Sequence, residues 1–523
     1  MNPVIVTLVI LGLAVVAFVA NKIPVGIVAI GVALSLYLTG VLTVEQSLAG
    51  FGDPVIVFIA ALFVVSEGLD ATGVTAWAGQ QLVTRAGTNP RSLTTLIMIL
   101  VAVLSALISV NGAVAALLPM VVVLAVRIKQ PPSQMLIPLA FGAHAGSLLV
   151  LTGSPVNVLI SEFLVEAGEK PIGFFQIGLV GLPLLIGTVL ITILLGPKLL
   201  PRLTPQYVTK DLSMHAQTLA LQYSIEDEQK LLTREAGLTE VVIPPRSELV
   251  GQDVFPGMVT DSGDLVVVAI QRGGENLGKA TLQVGDVMLL RGSWGALDAN
   301  IAADPNVIMV DSPAAIRRQA VPMGAKAKTA LVILAGMVIL LATGLVTPAV
   351  AALIAATCMV IFRVLSVHQA HRSISWTTLI LVGGMIPLST AIQVSGTADL
   401  IANGIVATLG SASPYLLALG LALVTVVLGQ LISNTATALI LAPIAIAIAS
   451  ETGVSPVPLL MSVAIAAAAS FLTPVATPAN TMVFGPGGYR FGDYWKLGLP
   501  LALLFVAVAT FLVPVFWPFY PTP

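Results

Sequence analysis

The chain has 523 residues, of which 57% are hydrophobic and only 9% are charged, and its formal net charge at pH 7 is −2. A soluble domain of this length does not tolerate so few charges, so the composition indicates a membrane protein, and it offers no basic surface for nucleic acid. The single cysteine, Cys358, excludes an intramolecular disulfide and a thiolate metal cluster.

Apolar runs long enough to cross a bilayer, which takes roughly 20 residues, begin at the N-terminus. The first run has no basic leader, so we interpret it as a retained spanning helix. Two shorter apolar arms, 92–109 and 114–129, flank a polar break at Ser109-Val110-Asn111-Gly112. In the first 202 residues, simple spans are predicted at 3–20, 23–42, 54–72, 134–165 and 174–198.

Residues 203–322 differ in composition from the rest of the chain. Nine of the 23 Lys and Arg fall between Lys210 and Arg318, and short apolar runs such as 265–270 and 287–290 alternate with Gly and Asp. This pattern predicts a soluble insert with a small β-containing domain at about 235–311.

The series of spans then recurs in the last 200 residues. Sliding the sequence on itself pairs Asn111 with Asn434 and Asn157 with Asn480, both 323 positions apart. One offset that holds across matched Asn, Gly and Pro residues predicts a duplication, with membrane repeats at 1–202 and 323–523. The second series comprises runs at 326–343, 345–363, 374–394, 457–485 and 496–517, with paired arms at 413–432 and 436–449.

The predicted repeats must have opposite orientations in the membrane. Each has five simple spans, and paired arms return to the side they left, so the number of crossings is odd. With the insert in the cytoplasm, the Lys and Arg of the membrane part fall on cytoplasmic flanks, except Lys170. The expected fold is an all-α polytopic membrane protein with two inverted repeats of about five spanning helices plus a re-entrant hairpin each, and an inserted small α+β domain. We expect it in the inner (plasma) membrane, with the insert cytoplasmic and both termini periplasmic or extracellular.

The polar island Ser433-Asn434-Thr435 lies at the junction of the second pair of arms. Polar groups at membrane depth are costly unless protein, water or a ligand satisfies them. A hairpin tip offers backbone N–H groups to an anion and carbonyl groups to a cation, so this island predicts a binding site. The alternative is a capped turn between two ordinary helices.

Two proline motifs, Thr473 to Asn480 and Leu151 to Asn157, occupy equivalent places in the two repeats. Proline removes a backbone donor, so each motif is expected to unwind its helix near mid-membrane. The freed carbonyls and the Thr, Ser and Asn side chains are hard oxygen ligands that suit Na⁺. The alternative is a kink used only for packing.

His144 lies inside an apolar segment that also holds Ser147 and Thr152. A titratable group at that depth is a functional candidate, and imidazole can carry a coupling proton. The alternative is a neutral histidine hydrogen-bonded across a helix interface.

With Ser433-Asn434-Thr435 and Thr477-Pro478-Ala479-Asn480, the membrane part resembles the divalent anion/sodium symporters of the solute carrier 13 type, within the ion transporter superfamily. The resemblance implies a homodimer with an elevator mechanism. The first repeat departs from the family pattern, because Val110-Asn111-Gly112 stands where Ser-Asn-Thr is expected and two hydroxyl ligands are missing. Substrate binding is predicted for Ser433, Asn434, Thr435, Asn111, Gly112, Ser154, Pro155, Thr477 and Pro478. Cation binding is predicted for Ser109, Asn111, Gly153, Asn157, Asn434, Ala476 and Asn480.

The insert resembles the TrkA C-terminal regulator domain through Leu249-Val250-Gly251, the run at 266–272 and Leu282 to Val287. That resemblance implies ligand sensing, with a nucleotide as a candidate ligand. The alternative is a passive dimerisation module.

The sequence thus predicts a Na⁺- or H⁺-coupled symporter of a small divalent anion, sulfate or a C4-dicarboxylate, with no other cofactor. An arsenite or cation antiporter of the same superfamily is one alternative, although the spans show no mid-membrane carboxylate for it. A ligand-gated channel is another, but unlike polar tips in two inverted repeats favour alternating access. An intramembrane enzyme is disfavoured because the spans hold no nucleophile with an adjacent base.

Overall fold

The computed structural model describes residues 2–20, 22–75, 77–78, 81, 89–203, 219, 222–223, 236–301, 304–311, 324, 326–397, 400, 404 and 413–520. Two compact units emerge from it. One comprises residues 1–67, 85–208 and 333–523, and the other comprises 68–84 and 209–332.

The first half of the membrane part is helical, with short 3₁₀ turns at Ala49–Gly52 and Leu151–Gly153. Its helices are α1 Pro3–Ala20, α2 Val25–Leu38, α3 Val44–Leu48, α4 Pro54–Ala71, α5 Pro90–Leu107, α6 Val110–Arg127, α7 Ser133–Gly146, α8 Pro155–Glu166 and α9 Gly178–Leu199.

The insert contains a five-stranded sheet in the order β4-β3-β6-β1-β7, with antiparallel pairing throughout, and a two-stranded sheet of β2 and β5. The β3–β4 hairpin turns through Gly273-Gly274, both at positive φ, as a two-residue turn of type I′ requires. Leu265, Ile270 and Met288 contribute to an apolar core. The elements are β1 Ala236–Val242, β2 Asp253–Val254, β3 Leu265–Arg272, β4 Glu275–Leu277, β5 Ala280–Thr281, β6 Val287–Ser293, α10 Trp294–Ile301 and β7 Ile308–Met309.

The second half is again helical, with a 3₁₀ turn at Phe491–Asp493 and a π-helical turn at Val508–Leu512. Its helices are α11 Ala327–Thr343, α12 Pro348–Ile361, α13 Val367–Ser373, α14 Trp376–Val394, α15 Pro414–Gly429, α16 Asn434–Thr452, α17 Pro456–Ala467, α18 Pro478–Gly487, α19 Tyr494–Ala507 and α20 Val513–Phe516.

Seven helical segments within the described residues are long and apolar enough to cross a membrane. The prediction of a mostly helical polytopic membrane protein with a small sheet-containing region is therefore confirmed. The segments are Pro3–Ala20, Val44–Ala71, Pro90–Leu107, Gly178–Leu199, Trp376–Val394, Asn434–Thr452 and Phe491–Phe516.

Local details recur between the halves at the offset seen in the sequence. Thr43 and Ser366 both cap a helix through a capping box, with Gln46 and Gln369 at the third helical position. The interrupted helices also pack reciprocally, since α8 contacts α16 and α17, while α18 contacts α6 and α7. Gly87 and Gly410, a further matched pair in the sequence, lie outside the described residues, as does most of 204–235.

Candidate functional site

The helix predicted at 134–165 is interrupted. It ends at Gly146 and resumes at Pro155, while the helix predicted at 457–485 ends at Ala467 and resumes at Pro478. Each proline takes the first helical position, where the missing N–H costs no hydrogen bond. Unwinding at these two breaks, here defined as residues 147–154 and 468–477, is thus confirmed.

Each break is held by the amide of one asparagine. Asn157 Nδ2 donates to the carbonyl oxygens of Ser147 and Val150, at 2.9 and 3.2 Å. Asn480 Nδ2 donates to the equivalent carbonyls of Ser470 and Thr473, at 2.7 and 3.0 Å. Both asparagines are fully buried, so these bonds satisfy carbonyl groups that the unwound turns leave without helical partners.

The tip between α15 and α16 is tied to the second break. Ser433 Oγ caps α16 by accepting from the backbone N–H of Ala436. Asn434 Oδ1 accepts a 2.7 Å hydrogen bond from Ser470 Oγ. Gln430 donates from Nε2 to the Ala469 carbonyl and accepts from the backbone N–H of Leu472. The tip and the break therefore form one hydrogen-bonded unit.

His144 connects the first half to this unit. Its Nε2 lies 3.1 Å from Thr477 Oγ1 and 3.3 Å from Asn480 Oδ1. On its own side, the His144 carbonyl accepts a hydrogen bond from Ser147 Oγ, and Asn157 holds the Ser147 carbonyl. A continuous chain of polar contacts thus runs from Asn157 through Ser147 and His144 to Asn480, which lies in α18 directly after the second break.

Four helices begin at these polar elements with a hydroxyl at the cap: α6 at Ser109, α8 at Ser154, α16 at Ser433 and α18 at Thr477. A helix N-terminus carries partial positive charge and free N–H groups, so it favours an anion. Residues 105–126, 133–166 and 430–488 contain no Lys or Arg, so within these ranges the helix N-termini are the groups able to attract an anion.

The predicted site residues are not all in the same setting. Asn434, Thr477 and Asn480 belong to the connected network, and Gly153 packs so closely on Ser147 that an added Cβ would lie 2.3 Å from its carbonyl oxygen. Asn111, by contrast, is exposed, and among the described residues its side chain makes no hydrogen bond to either break. The remaining predicted residues differ in exposure: Ser109, Gly112, Ser154, Pro155 and Thr435 are half-buried, Ala476 is buried, and Ser433 and Pro478 are exposed.

Two residues in the network were not predicted as site residues. The available signals were the 323-residue offset from Ser147 for Ser470 and a polar amide inside an apolar arm for Gln430, although neither indicates a bonding partner.

The donor chemistry suits Na⁺ in the first break. Asn157 Oδ1 is buried and has no hydrogen-bond partner within the described chain, so this oxygen is available to a bound ion or water. In the second break, the corresponding Asn480 Oδ1 already faces His144 Nε2. The two halves therefore differ at this atom.

Apolar spanning helices, two unwound breaks and a buried polar network between them define a polytopic membrane transporter. The chain belongs to the citrate transporter family (CitMHS), whose profile matches residues 15–438 and 407–521. Membership in the ion transporter superfamily is thereby confirmed, and this is a family of transporters rather than enzymes.

The chain is also similar to individual proteins that are named as transporters. The uncharacterized transporter YfbS of Escherichia coli is 30% identical over 97% of this chain and 98% of its own length. Sodium/sulfate cotransporter 2 of Chlamydomonas reinhardtii is 24% identical over 53% of this chain and 32% of its own. The YdaH transporter of Alcanivorax borkumensis has a similar fold, with a TM-score of 0.51 and 16% identity over the full length of both chains.

Proposed function

We propose that this protein is a secondary active transporter that carries a small divalent anion, sulfate or a C4-dicarboxylate, by symport with Na⁺. The observation that carries the proposal is the polar chain from Asn157 to Asn480, which joins two unwound breaks inside apolar helices. Buried polar groups of this kind mark substrate and ion pathways in membrane proteins.

Anion binding is assigned to the helix ends around Ser433-Asn434-Thr435, with Thr477 and Pro478 in the second half. Asn111, Gly112, Ser154 and Pro155 complete this site in the first half. Two names support a multivalent anion as the substrate. The family is described as citrate transporters, and one relative is named a sodium/sulfate cotransporter. Sulfate and dicarboxylates present the same double negative charge to helix N-termini.

Na⁺ is the proposed coupling ion because the unwound turns supply amide, hydroxyl and carbonyl oxygens. Proton coupling, with His144 as its predicted carrier, is the alternative, and the choice between them depends on measurement. An arsenite or cation antiporter and a ligand-gated channel remain the competing functions.

The proposed arrangement is two inverted repeats, 1–202 and 323–523, with the 203–322 insert in the cytoplasm of a plasma-membrane homodimer. Reciprocal packing of α8 on α16 and of α18 on α6 supports a two-fold relation between the halves. An elevator movement of the site-bearing helices against a scaffold would then expose one site alternately to each side. For the insert we retain ligand sensing by a TrkA-C-like domain, with a nucleotide as the candidate ligand.

The test is uptake of labelled sulfate and succinate into proteoliposomes, driven separately by an inward Na⁺ gradient and by an inward proton gradient. Asn434→Ala removes an amide at the tip and the partner of Ser470, so we expect uptake to fall about tenfold or more, the size of a lost hydrogen bond to a charged group.

Thr452→Ala is the matched control, because Thr452 lies at the far end of α16 and, among the described residues, its hydroxyl bonds only carbonyls of its own helix. Full uptake by Asn434→Ala would refute the site, and no uptake of either anion by the wild type would refute the substrate class.

A further inference from the structure

The side-chain amide groups of Asn157 and Asn480 make matching hydrogen bonds to their breaks, but their Oδ1 atoms have different surroundings. Asn157 and Asn480 each donate both Nδ2 protons to carbonyl oxygens, and the acceptors in the two halves are related by the 323-residue offset. This fixes the amide orientation, so each Oδ1 must point away from its own break.

In the second half, Asn480 Oδ1 already has a hydrogen-bond partner. His144 Nε2 lies 3.3 Å from Asn480 Oδ1 and 3.1 Å from Thr477 Oγ1. Because Oδ1 can only accept, the contact requires the proton on Nε2, and the ring then presents an N–H donor to two oxygens. A cation at Asn480 Oδ1 would have to displace a ring that is itself buried and packed edge-on against Phe471.

In the first half, no side chain takes the place of His144. The position 323 residues after His144 is Ala467, which is buried and has only a methyl group to offer. Asn157 Oδ1 is accordingly left without a partner in the described chain, although Asn157 is 0% exposed. A buried acceptor left unsatisfied destabilises the folded state, and a bound cation would remove this cost.

A second unpartnered oxygen lies on a neighbouring helix. Thr437 Oγ1 is buried without a hydrogen bond to any described residue, and it belongs to the first turn of α16, which packs against the Asn157-bearing helix α8. Its 323-related residue is Val114, so this hydroxyl has no counterpart in the other half. Two helices in contact, α8 and α16, thus each carry one unsatisfied side-chain oxygen.

We propose that the His144 side chain fills the cation position of the second break, so that each chain binds one Na⁺, at Asn157 in the first break, and none at Asn480. The proposal rests on Na⁺ coupling in the proposed function but goes further, because it assigns the stoichiometry and its cause to one histidine. In this proposal the imidazole ring excludes Na⁺ in two ways: it fills the space beside Asn480 Oδ1, and it donates a hydrogen bond to that oxygen.

The experiment counts bound ²²Na⁺ on purified full-length protein in detergent, with choline balancing the ionic strength and no anion substrate present. We expect one Na⁺ per wild-type chain, two for His144→Ala, none for Asn157→Ala and one for the double variant. Ala467→His is the mirror-image variant, since it places an imidazole at the 323-related position, and it should lower the count to none. His144→Ser repeats the cavity test with a polar side chain in case the alanine variant is unstable.

Two Na⁺ on the wild type, an unchanged count in both stable His144 variants, or one Na⁺ retained by Asn157→Ala would overturn the proposal. Anion uptake by the same preparation separates this inference from the proposed function. Absence of uptake with one bound Na⁺ would remove the transport assignment and leave the inference standing, whereas uptake with two bound Na⁺ would remove only the inference.

Discussion

Asp286 is the fully buried carboxylate of the insert's main ion pair. It accepts two 2.7 Å hydrogen bonds from the Arg272 guanidinium and one from the backbone N–H of Gln283. The Arg272 guanidinium holds the pKa of the Asp286 carboxyl below its ordinary value. A lowered folded-state pKa contributes stability that is present above the unfolded value of about 3.9 and is lost as the pH falls through the folded value.

Asp286→Asn should therefore lower the free energy of unfolding of the insert at pH 7 by about 1.5–3 kcal/mol, the range for hydrogen bonds to charged groups. The difference from wild type should shrink as the pH falls below about 4. Hydrogen exchange of the β3 and β6 amides in the full-length protein measures both effects. Asp264→Asn, at an exposed turn, is the control and should change little. A constant difference from pH 7 down to pH 3 would contradict the assignment.

Some residues of the network could be predicted from the sequence, and others required the structure. Asn157, Thr477 and Asn480 could be predicted because polar residues beside proline in an apolar segment are locally conspicuous. The hydrogen bonds of Ser470 and Gln430 could not be predicted, because they join residues 36 to 42 positions apart and no local pattern identifies the partners. The contact of His144 with Asn480 is a still longer-range pairing, and it depends on the fold.

At the scale of elements, each break depends on a helix that passes close to it. A Cβ on Gly181 of α9 would lie 2.0 Å from the Leu148 carbonyl oxygen, and one on Gly498 of α19 would lie 2.2 Å from the Phe471 carbonyl oxygen. Leu148 and Phe471 are related by the 323-residue offset, whereas the two glycines are 317 positions apart. The segment from Phe471 to Gly498 is thus six residues shorter than the segment from Leu148 to Gly181. In both halves the glycine still lies against the carbonyl oxygen of its break.

Gly181→Ala and Gly498→Ala should each destabilise the membrane part by about 1–3 kcal/mol, because the added methyl meets backbone that cannot move aside cheaply. The melting temperature of the purified protein in detergent measures the loss. Gly420→Ala is the matched control, since a Cβ there meets nothing within 4 Å and alanine favours the helix by about 0.5–1 kcal/mol. Unchanged melting of both break variants would show that these helices do not hold the breaks.

The elements themselves were largely predictable. Proline position and apolar length gave the breaks and most helix bounds, because both act locally. The shift from 323 to 317 in the last helix was not foreseen, since a shortened loop leaves the apolar pattern on either side intact. The reciprocal packing of α8 and α18 also required the structure.

For the whole molecule, the sequence predicts that the halves are inverted from the odd number of crossings and the distribution of Lys and Arg. The matched helix bounds and contacts agree with a two-fold relation, but the sides of the membrane reached by each loop stay a prediction. Residues 128 and 451, which are 323 apart, lie just after α6 and at the end of α16, so inversion places them on opposite sides.

The single native cysteine makes this testable, because Cys358→Ser gives a background without thiols. In that background, a membrane-impermeant maleimide applied to intact cells should label Glu451→Cys. Ile128→Cys, and Glu275→Cys in the insert, should react only after permeabilisation, since positive-inside flanks place both in the cytoplasm. Labelling of each variant in denaturant shows that every thiol is reactive. If positions 128 and 451 proved accessible from the same side, the halves would be parallel, and a single pocket reached alternately from each side would lose its structural basis.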